Sequence, residues 1–504
     1  MGRGGGRRSI ATVVLLAVVI VGVMASPPTA RAEDPTEQRL RALEEQLRKA
    51  QRELQELRDQ AQQQRAIGQA AQKQAEQTAE ESKAAAAEAK KGFELPDWVK
   101  KTTLFGDLRL RHEGFYHQPV TEAGQKPDPI LRPPPPTSAT ARNRERLRAR
   151  LGLKVSFSDE LSTTLRVTSG DPNNPISTNE DLTGDFTRKH VNLDWAFLTF
   201  SPGASFGIRP GAVSLTGGKF PNPIFRVGEM VFDEDLSPEG ASETFQLLPK
   251  PMGAFDQIKV YALQWTFAEV SNGPDGWMFG GQVNPALHFG AIQVEGGFGQ
   301  FWWLNPDLIA QALSKNTTSF NASGQPIANP NFNSSLVNTN LLVTKTIQPP
   351  SGPSGTPPSF TAITGYQSGF NQSSATVAAT VPHLLLDQPL RLFADYVYNW
   401  QAAIDDAQGW QAGMRLGQAR VRGDWSVYGL YEHIGQEAAI SAFTYSDYGT
   451  GGTNLEGPVV GAEYQLLNPL TVSVRSHFTN YINRPVDTTN PTLIRLQLDA
   501  LVKF

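Results

Sequence analysis

The segment Ile494-Arg495-Leu496-Gln497-Leu498-Asp499-Ala500-Leu501-Val502-Lys503-Phe504 decides the fold. Ile494, Leu496, Leu498, Ala500, Val502 and Phe504 alternate with Arg495, Gln497, Asp499 and Lys503, so one face is apolar and the other mostly polar or charged. A period of two belongs to a strand. The length matches the roughly 9 to 11 residues with which a tilted strand crosses a bilayer. The same alternation runs through Leu470, Val472, Val474, Ser476 and Phe478 against Thr471, Ser473, Arg475 and His477. It recurs, less cleanly, in Leu390, Leu392, Ala394, Tyr396, Tyr398 and Trp400 against Arg391, Asp395 and Asn399. A soluble sandwich also alternates, and the distribution of turns separates the two.

Read upstream from this segment, the pattern predicts sixteen strands, an even number, from 102–116 to 492–504. Their connections alternate between short (158–160, 250–254, 468–469) and long (117–141, 171–189, 221–242, 304–373). Short turns at one end and long loops at the other are the sidedness of a transmembrane barrel, and a sandwich has no reason to keep it. Trp195, Phe200, Trp302, Trp303, Trp400, Trp410, Trp425 and Tyr481 fall mostly near strand ends, where an aromatic girdle is expected. The fold expected is therefore an all-β antiparallel transmembrane barrel over 102–504.

Before residue 102 the sequence changes character twice. Arg3, Arg7 and Arg8, the apolar run from Ile10 to Ala25, and Ala30-Arg31-Ala32 have the layout of a secretory signal peptide over 1–32. Its removal shifts the formal charge from −4 to −8, because four arginines leave with it. Residues 33–92 read as an α-helical stalk, with Leu40, Leu47, Leu54 and Ala61 at one heptad position and Leu43, Ala50 and Leu57 at the other. So narrow a seam is buried only against another helix, which predicts a parallel coiled coil between identical chains or, failing that, a solvated helix or spacer. Gln64 and Gly68 at core positions weaken the seam, and 93–101, with Pro96, forms a linker.

Composition narrows the chemistry. The chain has 504 residues, no Cys and a net negative charge, which excludes Cys-ligated metal, iron–sulfur centres and a cysteine nucleophile, and gives no basic surplus for nucleic acid. His-Glu-x-x-His, Gly-x-Ser-x-Gly and phosphate-loop motifs are absent and the seven His are scattered, so neither an enzyme, a cofactor nor a metal site is expected.

Parity assigns the lumen. In the second strand Leu147, Ala149, Leu151, Leu153, Val155 and Phe157 form the outward set, leaving Arg142, Arg144, Arg146, Arg148, Arg150 and Lys154 inside. In the first, Gly106, Leu108 and Leu110 point out and Asp107, Arg109, Arg111 and Glu113 point in, and the third adds Arg166. Arg109, Arg111, Arg148, Arg150 and Arg166 thus converge on one wall, as a basic ladder or as the polar lining any lumen needs. An arginine facing lipid would instead cost about 2–4 kcal/mol near the midplane.

Gly106-Asp107-Leu108-Arg109-Leu110-Arg111-His112-Glu113-Gly114-Phe115, Arg142-Asn143-Arg144-Glu145-Arg146-Leu147-Arg148-Ala149-Arg150-Leu151, Ser169-Gly170-Asp171-Pro172, Gly217-Gly218-Lys219-Phe220-Pro221-Asn222-Pro223 and Leu236-Ser237-Pro238-Glu239-Gly240 together resemble the Putative porin family of Gram-negative outer membranes. The resemblance spans roughly 100–504. It implies a 16-stranded general-porin-like barrel, a homotrimer in outer-membrane lipid, passing small hydrophilic solutes and ions by diffusion. It also makes Phe504 the aromatic signal read by the barrel assembly machinery. In the third long loop, Glu229, Asp233, Glu234, Asp235 and Glu239 face only Arg226 as a base. The resemblance implies that this loop folds inward and sets acids against the arginine wall, where a cluster on an external loop would be solvated or bind divalent cations. A competing reading is an envelope tether, with the stalk in the periplasm on peptidoglycan and the barrel as its anchor. The loop 304–373 has no match and no assigned role.

Overall fold

The computed structural model describes residues 35–92, 97–120, 138–182, 184, 186–321, 323, 325–350, 359–483 and 491–504. The expected signal peptide over 1–32 lies outside these. The chain divides into two compact units, 1–94 and 95–504.

In the first unit, α1 spans Pro35–Gly92. Proline suits a first helical turn, where its missing N–H is not needed. Gln55 donates to Asp59 (3.5 Å) and Gln72 to Glu76 (3.2 Å), pairs one turn apart that support the helix. Leu54, Leu57 and Ala61, the seam positions whose side chains are described, are exposed.

The second unit is a closed 16-stranded antiparallel barrel. Its strands are β1 (Thr102–Val120), β2 (Ser138–Ser156), β3 (Leu161–Thr168), β4 (Asn192–Phe200), β5 (Val213–Lys219), β6 (Glu239–Gln246), β7 (Phe255–Ala268) and β8 (Gly276–Phe289). They continue as β9 (Ile292–Leu304), β10 (Asn371–Leu385), β11 (Gln388–Asn399), β12 (Gln408–Gly417), β13 (Trp425–Ile434), β14 (Leu455–Leu467), β15 (Leu470–Tyr481) and β16 (Leu493–Lys503). Each pairs with the next, and β16 returns to β1 from Asp107↔Lys503 to Tyr116↔Ile494. A two-residue piece, Glu180–Asp181, also adds to β2. No described helix is long and apolar enough to cross a membrane.

Outward positions are apolar and exposed, as with Leu108, Leu110, Leu151, Leu165, Val377, Val460 and Leu498. One end has tight connections at 290–291, 386–387 and 468–469, while the other has 169–191, 220–238, 305–370 and 435–454. Gly290 takes a left-handed φ of 62° in the 290–291 turn, which a side chain would strain. At the seam Gly106 and Phe504 exchange backbone hydrogen bonds of 3.0 and 3.1 Å. A Cβ on Gly106 would lie 2.3 Å from the Arg150 carbonyl and 2.7 Å from the Phe504 ring, so the glycine admits that ring.

The unmatched loop is structured. It holds the helix Asp307–Gln311 and the hairpins Asn316–Phe320 with Pro326–Ala328 and Leu342–Ile347 with Phe360–Tyr366. The aromatic expectation divides. Trp302, Trp400 and Trp410 are exposed on the outside. Trp303 instead turns inward and stacks on Phe443 at 5.5 Å, and Trp195 lies under an arginine.

Candidate functional site: the barrel interior

Strands β1, β2, β3 and β16 build a charged wall. Arg148 Nε donates to one oxygen of Asp107 (3.0 Å) and Arg150 Nε to the other (2.6 Å). One carboxylate thus spans two arginines whose parity puts them side by side. Arg111 forks onto Asp499 (2.7 and 2.8 Å) and reaches Asp447 at 2.6 Å. Arg166 pairs with Asp194 at 2.5 Å and lies 3.2 Å from the Trp195 ring centre. Arg109 donates to Asn179 at 2.7 Å, and its Nε has no partner among the described residues. The five arginines all face inward, and four of them meet carboxylates, as buried charges must.

Asp447 and Arg495 join this wall from distant sequence, and Arg495 links Asp447 to Glu113 of β1. Glu113, fully buried, receives Arg495 (2.6 Å), Gln497 (2.8 Å), Arg146 (3.7 Å) and Arg144. Asp447, on the 435–454 loop, bridges Arg111 and Arg495, each at 2.6 Å. Burial disfavours its charge, but Arg111 and Arg495 outweigh that and hold its carboxyl well below the usual range.

The third long loop, 220–238, runs inside the barrel. At one end Asp235 meets Arg150 at 3.2 Å and Arg148 at 3.7 Å and accepts from the Thr178 amide (3.0 Å) and hydroxyl (2.9 Å). Burial opposes the charge of Asp235, yet the two arginines keep its carboxyl below the ordinary value. Glu234 is exposed and lies 3.4 Å from Arg148. Asp233 points elsewhere, accepting from the Ser446 amide at 2.8 Å, and burial together with Asp235 pushes its carboxyl well above the ordinary value. Glu229 accepts from the Glu234 amide at 2.9 Å and is likewise raised by burial and by Glu234. Glu239 is not in the loop. It begins β6 opposite Lys219, at 2.9 Å, because the strand starts earlier than the loop expected over 221–242 allows.

The opposite wall is apolar. Leu263 and Trp265 of β7, Met278 of β8, and Phe301 and Trp303 of β9 face inward and are buried. Phe232 of the third loop packs edge-on to Trp265 (5.7 Å) and Phe301 (5.4 Å), while Ile309, Ile363 and Phe370 arrive from the 305–370 loop and Ile440 from the 435–454 loop. The 305–370 and 435–454 loops hold each other through Asn340, which donates to the Gln436 and Ala439 carbonyls at 2.7 and 2.9 Å. Three inward loops therefore fill the long-loop end of the barrel.

Cavities flank this packing. One of about 740 Å³ lies among the long loops, between Asp171, Ser177, Asp235, Asn329 and Phe443. Two more, of about 350 and 540 Å³, lie on the far side of the third loop and share Arg391 and Arg415. Among the described residues no group of three or more His, Asp or Glu is arranged to hold a metal ion.

The family model described as Putative porin matches residues 30–504. No curated protein is significantly similar in sequence. Solved structures that resemble the chain include OprB of Pseudomonas putida, at 12% identity over 81% of this chain and 96% of that one, with a TM-score of 0.45. Salmonella typhi OmpF, solved with daunomycin, matches at 10% identity over 82% and 100%, with a TM-score of 0.43. The outer membrane channel DcaP of Acinetobacter baumannii matches at 9% identity over 80% and 97%, with a TM-score of 0.39.

Proposed function

The chain belongs to the Putative porin family, whose members are channels of the Gram-negative outer membrane, and from this premise we propose that it passes small hydrophilic solutes and ions by passive diffusion. The observation that carries the reading is the third loop crossing the interior with Glu234 and Asp235 against Arg148 and Arg150. Asp235 closes directly on the arginines, and the exposed Glu234 beside this wall carries the charge that meets solvent, where a fixed charge in a narrow aqueous passage orients dipolar solutes and sorts ions. Arg109, Arg111 and Arg166 extend the basic side, and Glu229 and Asp233, held toward their neutral forms, contribute less to the acidic side.

The test is conductance of the purified chain in a planar bilayer. Replacing Arg148 and Arg150 by Ser is expected to move the zero-current potential in a salt gradient toward cation preference. Neutralising Glu234 and Asp235 is expected to move it toward anions, with a smaller contribution from Asp233. Both shifts shrink in about 1 M salt, where the screening length is about 3 Å. An arginine variant with unchanged reversal potential and low-salt conductance would remove these side chains from the path.

The assembly we infer is a homotrimer in outer-membrane lipid, inserted by the barrel assembly machinery with Phe504 as its signal. The stalk is proposed to lie in the periplasm as a coiled coil, and its exposed Leu54 and Leu57 support that reading. Cross-linking of segment 33–92 reads its self-association, and a monomer would refute the coiled coil.

A further inference from the structure

The backbone register ties inward residues into a row at one level of the barrel. Gln293 faces Thr380, Thr380 faces Arg391, Arg391 faces Arg415, and Arg415 faces Tyr428. The row goes on from Tyr428 to Gly461 and from Gly461 to Arg475. Gly461 leaves room for the Tyr428 ring, since a Cβ there would sit 2.4 Å from it. The ring lies between Arg415, 4.4 Å from its centre, and Arg475, whose Nε donates to its hydroxyl at 2.6 Å.

Three arginines therefore stand along one arc, and they are treated unequally. Arg415 is neutralised by Glu463 at 2.7 Å, and Arg475 donates to the hydroxyls of Tyr428 and Tyr445. Arg391 has no hydrogen-bond or ion-pair partner among the described residues, although it sits directly opposite another arginine. Like charges directly opposite in an antiparallel pair destabilise a sheet unless compensated; Glu463 compensates Arg415, which leaves Arg391 as the member of the pair without a counter-ion among the described residues. Arg391 and Arg415 also line both cavities on the short-turn side of the third loop, with Gln293, Thr380 and Gln411 as neutral donors around them. Four carboxylates line these cavities: Asp256 pairs with His288 at 2.7 Å, Glu295 accepts from Asn284 at 3.3 Å, Glu229 accepts from the Glu234 amide, and Glu432 is buried opposite Gln411 on the neighbouring strand.

We propose that Arg391, backed by Arg415, is a binding station for a small oxyanion, a solute carrying a carboxylate or a phosphate, between the third loop and the short-turn mouth of the barrel. The planar guanidinium of Arg391 offers a bidentate fork to such a group. Arg415, whose charge Glu463 balances, stands opposite and offers N–H donors rather than a second free charge. The station rests on the channel reading in that the solute arrives along the lumen. It is separate from the Arg148 and Arg150 wall, which the third loop covers.

The experiment measures binding and conduction separately. Equilibrium dialysis of inorganic phosphate against the detergent-solubilised full chain is expected to show saturable binding, weakened at least tenfold in R391Q and less in R391K. This readout stands whether or not the chain conducts. In planar bilayers, phosphate added on the short-turn side is expected to reduce the wild-type chloride current in a concentration-dependent way and to lose that effect in R391Q. R391Q should unfold at about the same urea concentration as wild type, since Arg391 makes no hydrogen bond or ion pair among the described residues for the substitution to remove. Equal phosphate binding by wild type and R391Q, or none by wild type, would overturn the station. Intact binding with no conductance would instead overturn the channel reading.

Discussion

Two walls of the same barrel face inward and share the strand period, yet they are chemically opposite. From β1, β2 and β16 come Asp107, Arg111, Glu113, Arg148, Arg150, Arg495 and Asp499, linked carboxylate to guanidinium. From β7, β8 and β9 come Leu263, Trp265, Met278, Phe301 and Trp303, with Phe232 of the third loop set among them. Alternation fixes which side of the sheet a residue occupies. What lies on that side is fixed by whichever loop covers it. The third loop is held at both walls by different physics, ion pairs at Asp235 and aromatic burial at Phe232, and its path follows from that pair of anchors.

The contrast can be broken most severely at the charged wall. Replacing Glu113 by Ala leaves Arg144, Arg146 and Arg495 without their common carboxylate, and removing one partner of a buried ion pair costs about 3–5 kcal/mol. The urea midpoint of the folded barrel, followed by heat-modifiable gel mobility, should fall accordingly, and a loss below about 1 kcal/mol would mean these charges behave as solvated ones. At the apolar wall, Phe232→Ala is expected to cost about 3 kcal/mol, the low end for a buried aromatic because a loop collapses into the space more easily than a strand. It should also raise single-channel conductance, as the loop loses its hold on Trp265 and Phe301. Unchanged conductance with lowered stability would separate the anchor from the pore.

The smallest effect expected is that of pH on the 435–454 loop. Asp447 has a lowered folded pKa, so its pairs with Arg111 and Arg495 stabilise fully above the unfolded value of about 3.9 and are lost as pH falls through the folded value. Asp233 and Glu229 have raised values, so their contribution runs the other way and weakens as pH rises through them. Hydrogen exchange in 435–454, corrected for intrinsic rate, should therefore accelerate well below pH 4, by about 2 kcal/mol of lost protection, and more mildly as pH rises through the Asp233 value, since Asp233 holds the Ser446 amide. Asp447→Asn should show that acceleration already at neutral pH.

Strand count, sidedness and the inward set of β1 to β3 were legible because a half-polar strand writes its orientation into every second residue. The same rule, carried to β11, β15 and β16, turns Arg391, Arg475 and Arg495 inward as well, although alternation alone does not say which of these arginines meets a counter-ion. Asp447 was not legible: its partners Arg111 and Arg495 lie on strands that meet only when the barrel closes, and nothing local marks its loop as inward. Trp303 misled because a tryptophan near a strand end reads as girdle unless the loop that stacks Phe443 on it is known. Glu239 misled by one strand boundary, which moved it from the loop to a ladder pair with Lys219.

The pairing of β1 with β16 joins positions about four hundred residues apart. Closing so long a segment costs about 5 kcal/mol in chain entropy, growing only as the logarithm of its length, so the ladder it forms easily offsets the cost. The difficulty is one of time. Contacts so distant form late, and until they do the nascent sheet presents two unpaired edges on which another chain can add. Asp107, Arg109, Arg111 and Glu113 on one of those edges, and Arg495 and Asp499 on the other, place charge where a stray strand would dock. The residues that line the finished lumen thus guard the unfinished protein against aggregation, and replacing them by neutral side chains would be felt first in the yield of folded barrel.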